Sequence, residues 1–317
     1  MRAIARPGRT PPQGFAPSAE RAPEGFVRQS WSEAFDKDAR DVALGLYPPM
    51  GGVFTRPVSA LLEAADLLAD ARRVEQRRLR GGAAEVRDDE IISQAYPSYY
   101  RQNFHFQSDG WFTAASARRY HAQVEALFAG AAAAMRRRAL SLLAAAWRGR
   151  DHRGAAILDI ACGSGGILPD LAATFPRARL AGVDLSLPYL EEARRCTGVR
   201  ALAQANAERL PFSDGRLDAV TCVYLFHELP PAVRRSVAAE IARALAPGGL
   251  LAFADSIQPA DEPRLARLLE FFPAYFHEPY YASYSQTDLA ALFGEAGLTA
   301  ISQDRAFLTK ALLFEKR

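Results

Sequence analysis

From residue 150 onward, short apolar runs of strand length alternate with stretches in which apolar positions recur at helical spacing. Ile157 to Gly166 opens the series: apolar residues lead to Asp159, and glycines at 163, 165 and 166 permit a tight turn with close backbone approach to a ligand. A helix is expected over Leu168 to Phe175, with its N-terminal amides facing the same place. Leu180 to Asp184, Val199 to Ala203 and Leu217 to Tyr224 read as the next three strands. Ala232 to Leu245, preceded by prolines, reads as a helix, and Pro247-Gly248-Gly249 turns the chain into a fifth strand over Leu250 to Asp255. Gln286 to Ala296 restores a helix ended by Gly297, and Leu298 to Asp304 with Phe307 to Glu315 form a closing hairpin. This order predicts an α/β fold with a mostly parallel sheet.

The first 150 residues read differently. Residues 1–25 hold five prolines and no acid before Glu20, without the apolar core of a secretory signal, so a disordered tail is expected. Val58, Leu61, Leu62, Ala65, Leu68 and Ala69 recur at helical spacing until Gly81-Gly82. A second long helical region is expected from about Ala114 to Trp147. Between them, residues 96–112 are dense in aromatics with polar tips, which suits the lining of a site or an interface. The expected organisation is a tail over 1–25, a helical region over 26–150 contributing to a substrate pocket, and a ligand-binding domain over 151–317.

Composition narrows the function. The 317 residues carry 39 basic and 36 acidic side chains, a formal net charge of +3, which argues against a dedicated nucleic-acid binder. The runs Arg136 to Arg138 and Arg72, Arg73, Arg77, Arg78, Arg80 read as solvated helix faces. Three cysteines, at 162, 196 and 222, show no disulfide or metal-ligand spacing, which suits a cytoplasmic protein. No apolar run reaches the roughly 18 residues of a membrane span, so no membrane insertion is expected.

The glycine turn departs from the dinucleotide fingerprint, because Leu168 stands where G-x-G-x-x-G needs its third glycine. Asp159 with Gly163 and Gly165, Asp184, Ala207 to Phe212, the strand beginning at Leu217 and the loop Leu245 to Gly249 together resemble the class I S-adenosylmethionine-dependent methyltransferases over residues 150–317. The resemblance implies a Rossmann-like seven-stranded sheet with an antiparallel C-terminal edge and S-adenosyl-L-methionine as cofactor. It also implies that Asp159, Gly163 and Gly165 hold the methionine end, Asp184 the ribose hydroxyls and Leu185 one face of the adenine. Asn206 and Ala207 would occupy the adenine-amine position, with Cys162 and Tyr224 completing the set. Within the family, the segment before Phe212 and the FHEL sequence at 226–229 resemble the quinone C-methyltransferase branch.

Methyl transfer from a sulfonium is an in-line displacement, so alignment of the groups can contribute roughly 7–11 kcal/mol and a general base is optional. His277, His105 and His227 are the candidate bases. Tyr96, Tyr100, Phe104, Trp111, Tyr280 and Tyr281 are the candidate substrate contacts, favouring a small or lipophilic, aromatic or apolar acceptor. No metal is expected, since neither adjacent His-Glu pair shows chelating spacing. A cofactor-binding scaffold without catalysis and a non-methylating enzyme on the same fold are the alternatives. The acceptor and the oligomeric state are left open.

Overall fold

A computed structural model describes residues 15–49, 73–82, 85–88, 95–107 and 109–317. Seven strands form one sheet in the order β3-β2-β1-β4-β5-β7-β6. They are β1 (Ala156–Ile160), β2 (Arg179–Asp184), β3 (Leu202–Gln204), β4 (Leu217–Val223), β5 (Leu245–Ser256), β6 (Leu298–Ala306) and β7 (Thr309–Lys316). The first five pair in parallel, and β7 lies antiparallel between β5 and β6. Central strands β1 and β4 are covered on both faces, which is why they read as nearly unbroken apolar runs.

Strand order reverses between β1 and β4, and a crevice opens there beyond the carboxyl ends of the strands. Helices flank the sheet: α1 (Phe26–Ala43), α2 (Ala114–Leu127), α3 (Ala132–Ala146), α4 (Leu168–Thr174), α5 (Leu187–Thr197), α6 (Pro231–Ala244), α7 (Ala266–Tyr275) and α8 (Leu289–Glu295). One buried cluster joins α6, α8 and one sheet face, and a second joins α3, α4, α5 and the other.

Several boundaries differ from expectation. The long helix over 114–147 is two helices, because Ala129 and Gly130 both adopt positive φ and reverse the chain. β5 begins at Leu245, which pairs with Leu217 before the register shifts and Leu250 pairs with Ala219. β3 is confined to three residues at the sheet edge. α8 starts at Leu289, where Asp288 accepts from the Ala291 amide. The described part of the expected tail is docked on α7: Phe15 meets Phe271 at 5.3 Å, and the Ser18 hydroxyl donates to Glu270. The periodic positions from Val58 to Ala69 lie outside the described residues.

The expectation of a solvated arginine face on α3 is corrected. Arg137 and Arg138 are 2% and 1% exposed, because α3 is sandwiched between the sheet and α1. Their charges are met by acids of α1: Arg137 Nε donates to Asp38 at 2.8 Å, and Arg138 Nη1 lies 2.7 Å from Asp41 and 3.2 Å from Asp304 on β6. Tyr47 joins them, accepting from Arg138 and donating to Asp38. Arg78 is also buried, with its guanidinium over the Tyr275 ring. Asp38→Ala leaves Arg137 charged and buried, so chemical denaturation should show a loss of about 3–5 kcal/mol. Arg153→Ala, which removes an exposed pair with Asp151, should leave the midpoint unchanged.

Candidate functional site

Beyond β1 the chain turns sharply, with Ala161, Gly163 and Gly165 all at positive φ. Gly165 has a second requirement, since a Cβ there would lie 2.3 Å from the Thr197 methyl on α5. Of the expected cofactor residues, Asp159, Cys162, Gly163, Asp184, Leu185, Asn206, Ala207 and Tyr224 line one cavity at the reversal of strand order. Gly165 is not in that lining and serves the packing of the turn on α5.

Asp184 ends β2 and accepts from the Gly163 amide at 2.8 Å and the Ser186 amide at 2.7 Å. Each carboxylate oxygen retains a lone pair for a further donor. Burial raises its carboxyl above the usual range, against these amide bonds. Asp159, 2% exposed, accepts from Thr221 Oγ1 at 2.6 Å. Burial pushes its carboxyl up to about 7, with the Thr221 hydroxyl opposing and Asp184 adding to the rise. Asn206 turns its side chain to Glu208, accepting from that amide at 2.9 Å.

The N-terminal helical segments supply the opposite wall. Tyr100 and Trp111 line the cavity, whereas Phe104 stacks behind Trp111 at 4.5 Å and Tyr96 stacks on Tyr100 at 5.6 Å. Tyr280 and Tyr281 are not in the lining; Tyr281 is buried, with its hydroxyl 2.8 Å from Ser256 Oγ. Lining residues that the sequence did not single out for binding include Tyr120, Val124 and Tyr189, and Tyr99, Arg136 and Glu228 line the cavity with them. Tyr120 and Val124 share one face of α2 at i, i+4, a spacing equally suited to core packing. Arg136 comes from the run read as solvated; its Nε is buried without a hydrogen-bond partner, and a Cβ on Gly166 would lie 3.3 Å from it.

The three candidate histidines part company. None of the three lines the cavity; His277 is held at Nε2 by Gln102 Oε1 at 2.8 Å, and burial lowers its basicity. His105 and His227 meet beside Glu228. His105 Nε2 lies 2.9 Å from Glu278 Oε1 and 3.1 Å from Glu228 Oε1, and His227 Nε2 lies 3.5 Å from Glu228 Oε1. Asp255, at the end of β5, fixes the His227 ring through Nδ1 at 2.6 Å. Burial would lower the His105 imidazole, but the two glutamates outweigh it and raise it to about 10. Glu228 goes the other way: burial would raise it, and the two imidazoles hold it at about 2. Burial and the charge of Glu228 push Glu278 up.

One pH prediction follows for Asp159. Its folded value of about 7 exceeds the unfolded value, so the stability held by the neutral carboxyl is full below about pH 4 and is lost as pH rises through about 7. Asp159→Asn should therefore gain stability over the parent chain as pH climbs from about 4 to about 8, read from thermal melts; a difference independent of pH would refute the assignment.

A family model described as a methyltransferase domain matches residues 157–249. An uncharacterised methyltransferase of Synechocystis sp. is 32% identical over 151 residues, covering 47% of this chain and 68% of that protein. A ubiquinone/menaquinone biosynthesis C-methyltransferase of Desulfotalea psychrophila is 31% identical over 171 residues, covering 48% and 69%. A fatty-acid O-methyltransferase of Mycolicibacterium smegmatis is 36% identical over 126 residues, covering 39% and 45%. With the strand order, the glycine turn and Asp184 in place, the chain belongs to the class I S-adenosylmethionine-dependent methyltransferases.

Proposed function

We propose that this enzyme methylates a small, lipophilic molecule with an aromatic or apolar body. The observation that carries the reading is that a single cavity joins the cofactor turn to an aromatic wall: Gly163 and Asp184 line it together with Tyr99, Tyr100, Trp111, Tyr120 and Val124. Apolar walls with few polar anchors select apolar bodies. Relatives named for quinone and fatty-acid methylation act on molecules of that character.

Within this reading Asp184 takes the ribose hydroxyls, and Leu185 and Ala207 face the adenine. Asp159 and Gly163 lie at the methionine end, where Arg136 supplies the cation for the cofactor's carboxylate. The aromatic wall orients the acceptor, and exclusion of water along it holds nucleophile, methyl and sulfur in line. Glu228 lines the cavity and carries His105 and His227 behind it, while His277 anchors the loop carrying Gln102. Among the described residues no helix is long and apolar enough to cross a membrane.

Calorimetry with S-adenosylmethionine should show saturable binding that Asp184→Ala weakens about 10-fold or more, as loss of a charge-assisted hydrogen bond requires. Arg136→Met should weaken S-adenosylhomocysteine by about 10-fold and leave methylthioadenosine, which lacks the amino-acid carboxylate, unchanged. Equal loss for both nucleosides would remove Arg136 from the methionine end. Incubation of the enzyme with lipid-soluble extract and labelled cofactor should yield a product heavier by one methyl group, and labelling confined to the water-soluble fraction would overturn the acceptor class.

A further inference from the structure

We propose that His105, His227, Glu228 and Glu278 bind one divalent first-row transition-metal cation, of the Zn²⁺ or Fe²⁺ class, at the acceptor end of the cavity. Each offers one ligand atom, and the four atoms lie within 4.8 Å of one another. Four ligands about 2.0–2.1 Å from a tetrahedral centre stand about 3.3–3.4 Å apart. Glu228 Oε1 lies 3.1 and 3.5 Å from the two imidazole nitrogens, and Glu278 lies 2.9 Å from one through Oε1 and 4.0 Å from the other through Oε2, values that bracket that edge.

The protein's own hydrogen bonds do not close the cluster. Oε2 of Glu228 and Oε2 of Glu278 are both buried without a hydrogen-bond partner, on side chains 5% and 3% exposed. Glu278 Oε2 is also the atom that faces His227 Nε2. A buried acceptor left without a partner costs about 1–3 kcal/mol, more when charged, and a cation coordinated by such an oxygen removes that cost for it. Asp255 holds His227 through Nδ1, which leaves Nε2 as the ligating nitrogen and supplies the carboxylate–imidazole arrangement that orients metal ligands. Two imidazoles with two carboxylates favour a transition metal over Mg²⁺ or Ca²⁺. Glu228 lines the cavity as well as the cluster, which provides the entry path.

The binding claim stands on these ligands alone, and only its role rests on the methyl-transfer reading. In that role the cation, held by the four side chains, would act as a Lewis acid toward the oxygen of an enol or phenol acceptor taken as a fifth ligand, the acceptor's proton leaving to solvent. The resulting anion attacks the methyl carbon, and the carbon–sulfur bond breaks with its electron pair on sulfur.

The test is titration of the whole chain, purified without a nickel column and stripped with chelator, with Co²⁺ and with Zn²⁺. One equivalent of Co²⁺ should bind with visible d–d absorption, and Zn²⁺ should displace it. Glu278→Gln and His227→Gln should each weaken Co²⁺ by about 10-fold or more, while Asp184→Ala should leave it unchanged. Absence of a saturable Co²⁺ signal in the parent chain, or binding that survives Glu278→Gln undiminished, would overturn the site without requiring any variant to be active. Metal binding without cofactor binding would instead overturn the methyl-transfer reading and leave the site standing.

Discussion

Two arginines that cannot reach water constrain how the helical N-terminal part sits on the sheet. α3 is buried on both sides, so Arg137 and Arg138 need anions, and Asp38 and Asp41 of α1 and Asp304 of β6 provide them. A buried guanidinium with a missing partner is costly, so the pairing fixes the rotation of α3. That rotation puts Arg136 beside Gly166 at the cavity, one residue away from the structural pair. Adjacent arginines thus divide between holding the fold and lining the site.

The cavity has two electrostatic ends. At the glycine-turn end, the Asp184 carboxylate accepts from two amides and Arg136 in the same lining supplies positive charge. Beside Glu228, at the other end, two imidazoles and two glutamates face one another, so protons and charges there are shared by the group. Tyr99, Tyr100, Trp111 and Tyr120 line the space between the ends. β4 connects them: Thr221 bonds Asp159, and the turn after Val223 carries Tyr224 and Glu228 into the lining.

The local chemistry of the core was legible in the sequence. Strand-length apolar runs, the acids near the ends of β1 and β2 and the glycine turn announced β1, β2, β4 and the turn that lines the cavity, because a buried parallel strand leaves a continuous apolar signature and its end leaves a turn. Boundaries were less legible where pairing decides length: β5 is extended by a partner at Leu217, and β3 is cut short at the edge. The break in the helix at Ala129 and Gly130 was masked by an alanine-rich composition that reads as helix throughout.

What the sequence by itself determined was the fold class, the glycine turn after β1 and the family, since each depends on residues close together along the chain. Only the tertiary structure decided which wall the aromatics form, that Arg137 and Arg138 are buried while Arg136 lines the cavity, and that His105 meets His227, Glu228 and Glu278. No spacing rule could show that cluster, because its members come from the N-terminal addition, the end of β4 and the segment after α7. Ligand geometry is a matter of distance in space, and here the sheet and the helical addition must be packed together before those distances exist.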